Sequence, residues 1–281
     1  MIKKIIATSS IISMMLAVSP VFAMPHMVSS ELNTPGTNRT LLLPPAADHS
    51  PVISLGTALD PASGKTVEGI AFVHYKKDFG KSNGKDNGKG KPAGGGSSCY
   101  AFLANGAEWN STEDYLFDAT NSENLDETIL RSLLSESVEI WDGEVTADVF
   151  GIEAAGIVDG VDQSSPDGKN EVLFGDVSSQ GAIAVTIVWG IFSGPPSQRA
   201  LVEWDMIFDE ADFDWSTEVI GVDGRMDFQN IAVHEVGHAA GMGHPEGSCL
   251  DETMYAYANF AEIKKRDLNA GDITGIKKLY R

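Results

Sequence analysis

The chain of 281 residues has only two cysteines, Cys99 and Cys249. That is too few for a small disulfide scaffold or a four-cysteine zinc module. Basic residues are scarce: 20 Lys and Arg stand against 40 Asp and Glu, a formal net charge of −20. Nucleic acid and anionic membrane surfaces both need a basic footprint, so neither is expected as the main partner. After the N-terminus no apolar run is long enough to span a bilayer. No internal repeat occurs at solenoid spacing. What is present is 42% hydrophobic against 21% charged residues, enough apolar side chain for a sizeable core. The composition describes an acidic protein with room for a catalytic site, expected to work as a monomer.

Met1-Ile-Lys-Lys4 is a short positive segment, and residues 5–18 are mainly apolar. Ser19-Pro-Val-Phe-Ala23 then supplies a break and a small residue at the cleavage position. This is the layout of a secretory signal peptide over 1–23, with an uncleaved anchor as the alternative. The mature protein is therefore expected in the periplasm or the medium, where disulfides are allowed. Composition divides the rest. Residues 1–98 hold 10 basic and 6 acidic side chains, and 99–281 hold 10 and 34. The change falls at 80–98, a Gly- and Lys-rich stretch with almost nothing to bury, expected to be a linker. Before it, 24–79 carries two short strand-like pieces, at 52–55 and 69–75, and reads as a pro-region or accessory arm.

From 99 to 281 the pattern is that of an α+β domain. Strands are expected at 115–119, 171–174, 182–189 and 202–208. In the last, Val202, Trp204, Met206 and Phe208 alternate with Glu203 and Asp205, which predicts one buried and one wet face. Leu125, Ile129, Leu133, Leu134, Val138 and Trp141 predict a helix with one buried stripe, capped by Asn121 or Asn124. A second helix is expected from about Asp227 and a third over 269–280.

The strongest signal is His234-Glu-Val-Gly-His238-Ala-Ala-Gly241-Met-Gly-His244. One helical turn separates His234 from His238, so both imidazoles project from one face at the spacing that serves a single zinc. Glu235 lies beside them, where a general base belongs. Gly241 permits the sharp turn that returns His244 as a third ligand. Three neutral imidazoles leave one position open, as catalytic zinc sites do.

This pattern resembles the metzincin zinc peptidases, whose ligand motif is followed by a methionine turn. Met254, in Glu252-Thr-Met-Tyr255, fits that turn as an apolar floor. Among metzincins the chain is most similar to the matrixins, by Leu268-Asn-Ala-Gly-Asp-Ile-Thr-Gly-Ile-Lys-Lys-Leu-Tyr280, by Glu108-Trp109 and by Gly181-Ala-Ile-Ala184. The resemblance covers about 99–281. It implies a twisted, mostly parallel five-stranded sheet, an active-site helix, a C-terminal helix and a horizontal cleft. By the same resemblance Ala182, Ile183 and Ala184 form an edge strand that hydrogen-bonds an extended substrate, with Tyr255 and Tyr257 also lining the cleft.

Four departures stand out. The remaining histidines, His26, His49 and His74, all precede the linker, so the family's second, structural zinc is expected to be absent. No Cys sits between Arg and Gly as in the matrixin pro-region. Gly271-Asp272 stands where the family often has two acids. Pro245 is similar to the serralysins, but their extra Tyr ligand falls on Ala256 here, and Tyr257 is one residue late.

The expected activity is that of a secreted zinc-dependent endopeptidase on protein or peptide substrates, with one catalytic zinc. The competing reading is a non-catalytic exported protein of the same fold that binds zinc or calcium; an intact Glu235 argues against it. The acidic loops at 159–170 and 209–214 could hold calcium, or could simply be solvated. Cys99 and Cys249 are expected to pair, tying the start of the domain to the loop before Met254. Cys99 as a thiolate on the zinc is the rival.

Overall fold

The computed structural model describes residues 39–44, 49–79 and 99–281; the expected signal peptide at 1–23 and linker at 80–98 lie outside the described residues. Three strands come first: β1 (Thr40–Leu41), β2 (Val52–Leu59) and β3 (Thr66–Lys76). After β4 (Ala101–Phe102) and β5 (Glu113–Asp118) the chain enters helix α1 (Glu127–Asp142). Then follow β6 (Phe150–Glu153), β7 (Glu171–Val177), β8 (Ala182–Ile191) and β9 (Ala200–Asp209). Short β10 (Trp215–Ser216) and β11 (Met226–Asp227) precede helix α2 (Phe228–Ala239). The chain ends with β12 (Met242–Gly243), β13 (Tyr257–Ala258) and helix α3 (Ala270–Leu279).

One mixed sheet organises these elements, in the order β13-β3-β8-β9-β7-β5-β6, with β2 added on β3 and β1 on β7. Within it β6, β5, β7 and β9 are mutually parallel and β8 is antiparallel to β9, the five strands expected of an α+β metzincin domain. Helices α1 and α2 cover one face over a core that includes Trp141, Phe174, Trp204, Phe208, Trp215 and Phe228. Among the described residues no helix is long and apolar enough to cross a membrane.

Part of the N-terminal segment joins the sheet: β3 lies beside β8, and β2 on β3. β3 pairs along β8 from Glu68 opposite Gly190 to Tyr75 opposite Ala182. Val67, Ala71, Val73 and Tyr75 are fully buried in the second core layer, and Phe72 joins the first. The reason lies in the segment itself: Gly69-Ile-Ala-Phe-Val-His-Tyr75 is apolar on both faces, as an interior strand must be.

Three smaller expectations also change. Helix α1 is capped by Asp126, whose carboxylate accepts from Thr128 N and Ile129 N. Asn121 instead accepts from Leu125 N at 2.8 Å, and Asn124 takes φ 58°. The buried stripe of α1 runs through Leu130, Leu134, Val138 and Trp141, while Ile129 stays 44% exposed. The polar side of β9 is not wet. Glu203 and Asp205 are buried because the 159–170 loop closes over them, Asp162 N donating to Asp205 at 2.7 Å.

Candidate metal centre

Helix α2 presents the motif because both its ends are fixed. At the N-terminus the Asp227 carboxylate accepts from Asn230 N at 2.7 Å. Midway, Trp141 Nε1 donates to Val233 O at 2.7 Å, and near the end Trp109 Nε1 donates to Ala239 O at 2.8 Å. The Tyr280 hydroxyl donates to Ala240 O at 2.9 Å. The Trp109 and Tyr280 landmarks therefore hold the last turn of the helix. Gly241 then takes φ +93°, a conformation that disfavours any side chain, and the chain doubles back. β12 pairs with β4, which sets the return path of His244.

The turn brings three imidazoles to one point. Their Nε2 atoms lie 3.1 Å (His234–His238), 3.0 Å (His238–His244) and 3.3 Å (His234–His244) apart. Tetrahedral zinc with Zn–N bonds of about 2.0–2.1 Å needs ligand nitrogens roughly 3.3 Å apart, so the donor set fits that ion. The tautomers agree. His234 Nδ1 donates to Thr253 O at 2.6 Å and His238 Nδ1 to Met242 O at 2.9 Å, which leaves each Nε2 lone pair inward. Burial holds His234 and His244 well below the usual imidazole range and His238 down to about 3, so all three are neutral ligands.

Met254 is fully buried beneath the helix, where a Cβ on Gly237 would collide with its Sδ. The turn carrying it is anchored to α3. Asp272 accepts from Thr253 N at 2.8 Å and Met254 N at 3.2 Å, and the same Thr253 orients His234. Glu252 accepts from Gly271 N at 3.0 Å and Asp272 N at 3.2 Å, a carboxylate at the N-terminus of α3. Gly271 has no room for a side chain, because a Cβ there would meet the Cys99 carbonyl. Cys99 is disulfide-bonded to Cys249, with 5.4 Å between their Cα atoms.

Glu235 sits beside the triad with both oxygens engaged. Thr186 Oγ1 donates to Oε2 at 2.6 Å, and His74 Nδ1 lies 3.1 Å from Oε1. Burial pushes the Glu235 carboxyl up to about 8. Burial, with the Lys265 ammonium and the neighbouring histidines, keeps His74 neutral, so its contact with Glu235 is a hydrogen bond and not an ion pair. On its other side His74 Nε2 accepts from Lys265 Nζ at 3.0 Å. Lys265 is fully buried, donates to Tyr255 O, and is drawn down to about 7 by loss of solvation. His74, His234 and Glu235 converge as a second group. Both ring nitrogens of His74 are already committed there, so the ligand set remains His234, His238 and His244.

Of the expected cleft residues, Ala182 and Ala184 lie on β8 opposite Tyr75 and His74, and Tyr257 pairs with Tyr75 from β13. Ile183 lies between the two alanines, and the Tyr255 ring meets Tyr257 edge-on at 5.5 Å. β8 is thus not an edge strand here: β3 lies along it. Sequence reasoning passed over His74, Thr186, Lys265 and Asp272. Only the doubly apolar run around His74 offered a sign.

Helix, return turn and buried methionine together define the metzincin class of zinc site. Residues 193–281 match the model of the family described as Matrixin. A stretch of 69 residues, 25% of this chain, is 38% identical to Metalloendoproteinase 4-MMP of Arabidopsis thaliana and covers 18% of that protein's length. Over the matched residues, 193–281, the chain is matrixin-like, and the site they carry is of the metzincin kind.

Proposed function

We propose that the chain is an exported zinc endopeptidase that hydrolyses protein or peptide substrates as a monomer. The observation that carries the reading is the convergence of three neutral Nε2 donors next to a buried carboxylate. Zinc, when bound, supplies Lewis acidity that acidifies water and polarises a carbonyl. The chain's own part is positioning and proton transfer. Thr253 and Met242 carbonyls aim the ligands, and the Thr186 hydroxyl pins Oε2 of Glu235. Oε1, contacted by His74 Nδ1 at 3.1 Å in this structure, is the oxygen that would take a proton from the attacking water, once that contact opens, and return it to the leaving amine. A carboxyl raised toward working pH suits both transfers. Elemental analysis paired with digestion of an unfolded protein, with and without chelator, tests the reading. Chelator-sensitive cleavage supports it; a zinc-loaded chain that cleaves nothing, even after a cut between 80 and 98, overturns it.

The same reading assigns calcium to the 159–170 loop. Asp162, Asp167 and Glu203 bring carboxylate oxygens within 4.8 Å of one another, and the buried Oε1 of Glu203 has no hydrogen-bond partner. Hard cations take such oxygens. No comparable group forms at 209–214 among the described residues. Burial raises Glu203 to about 8, and burial with neighbouring acids raises Asp162 to about 6 and Glu171 to about 7. The folded state therefore holds more protons here than the unfolded one between about pH 4.5 and 8. Without cation, stability should fall as pH rises through that window. Melting curves at pH 5 and pH 8 should show calcium raising Tm more at the higher pH, with Glu203→Gln erasing the difference. Equal calcium shifts at both pH values would remove this assignment.

A further inference from the structure

We infer that Lys265 gives this site a preference for an acidic side chain, glutamate or aspartate, at one of the two substrate residues joined by the scissile bond. The inference rests on the peptidase reading for what the site cleaves. Burying an ammonium costs free energy unless a carboxylate or well-placed acceptors meet it. Lys265 is fully buried, and its Nζ donates to Tyr255 O and to His74 Nε2 at 3.0 Å, lying 3.4 Å from His234 Nδ1. Both acceptors are neutral. Among the described residues Lys265 makes no ion pair, and Glu262, Glu235 and Asp272 act on it from farther off.

The ligand helix itself puts the ammonium there. The Lys265 amide donates to Asn230 Oδ1 at 2.8 Å, and the next residue, Arg266, donates from Nε to Asp227 Oδ1 at 2.8 Å. Asp227 caps α2 and Asn230 lies in its first turn. The helix that carries His234 and Glu235 therefore turns the Lys265 side chain toward them, while Lys264 and Arg266 stay outside.

His74 shows the form of the space that results. Its ring lies 3.8 Å from that of His234 between centroids. One of its nitrogens faces Glu235 Oε1 at 3.1 Å, and the other faces the ammonium. The chamber beside His234 thus has an imidazole for a wall, the base at one end and a cationic donor at the other. A substrate side chain in this chamber belongs to a residue next to the reacting carbonyl, because a zinc ligand and the base form its sides. An apolar side chain there takes an acceptor from Lys265 and returns none, a mismatch that sites built around a polar partner reject strongly. A carboxylate replaces Nε2 as acceptor and adds charge to the hydrogen bond. A glutamine side chain offers the oxygen without the charge and ranks between the two.

Two measurements on the full, zinc-loaded chain test this. The first is cleavage of a peptide library, followed by kcat/KM on matched Glu, Gln and Leu peptides, with the chain intact and cut between 80 and 98. Acidic residues should be enriched at one position flanking the cleaved bond. Glu should exceed Leu by roughly 10- to 100-fold, the range of a hydrogen bond to a charged group. Lys265→Met should erase that ratio, with Lys265→Gln in its place if the Met variant does not fold, and Lys265→Arg should keep its sign. The second measurement needs no turnover. His74→Ala empties the chamber, so acetate replacing chloride at equal ionic strength should raise its Tm, and acetamide should raise it less. His74→Ala combined with Lys265→Met controls for acetate bound elsewhere, zinc included, and should show the smaller acetate shift.

Hydrolysis with apolar residues preferred at both flanking positions overturns the inference and leaves the peptidase reading standing. So does an acidic preference that survives the loss of Lys265. If nothing is hydrolysed, the peptidase reading falls and the acetate shifts decide. A larger shift where Lys265 is present keeps the carboxylate site, and equal shifts remove it.

Discussion

Glu235→Gln is expected to retain zinc and to lose peptide hydrolysis, measured on the chain cut between 80 and 98. The ligands are His234, His238 and His244, and none of their Nδ1 contacts passes through Glu235. Removing one carboxylate charge therefore leaves three-imidazole coordination intact. A positioned general base is worth roughly 10²–10⁴-fold, and here the same residue also protonates the leaving amine, so the loss should reach the upper end. Gln preserves the shape that accepts from Thr186 and removes the ability to take a proton. His238→Ala should behave differently, losing metal and activity together, because it removes one of the three donors and leaves a space against Phe72. The two variants should separate on elemental analysis and coincide on turnover. Wild-type turnover in the Gln variant would rule out Glu235 as the base.

The ligand helix and its return turn are legible in the sequence because they obey local rules. His234 and His238 share a face by helical spacing, and Gly241 marks the turn by its freedom at positive φ. Asp227 and Asn269 begin their helices as expected, Asn269 completing a reciprocal cap with Asp272. The strands 171–177, 182–191 and 200–209 extend the runs expected for them by a few residues each.

What was not legible depends on partners far apart in the chain. His74 meets Glu235 across 161 residues and Lys265 across 191, and neither local period nor charge carries that information. The drop in apolar content at 80–98 reads as a boundary, yet the strand before it belongs to the sheet after it. A composition break marks where apolar content drops, not which side of it joins the core. Lys265 illustrates the same limit. In Lys264-Lys265-Arg266 all three cations look solvated, but only Lys265 turns inward to His74 and the Tyr255 carbonyl. Glu203 and Asp205 fail the alternation rule for a related reason: the rule assumes one open face, and the 159–170 loop closes it.

Replacing the bridge, with Cys99→Ser and Cys249→Ser together, should lower stability and loosen the third zinc ligand. The bridge closes a loop of 150 residues, for which chain entropy allows at most about 5 kcal/mol. Natural bridges commonly deliver roughly 2–5 kcal/mol when removed. For a domain of this size each kcal/mol moves Tm by about 2–4 °C, so a drop of about 5–15 °C is expected in differential scanning. Position decides the functional consequence. Cys249 lies in the loop between His244 and Met254, and the Cys99 carbonyl packs against Gly271 at the start of α3. His234 and His238 are held by α2 and its tryptophan anchors, whereas His244 depends on the turn and on that loop. The double variant should therefore bind zinc more weakly than wild type, and less weakly than His244→Ala. Competition with a chromogenic chelator reads that order directly. A variant that melts within 1 °C of wild type would show that contacts at Gly271 and β4 hold the loop without the bridge, at odds with the ~2 kcal/mol minimum expected of it.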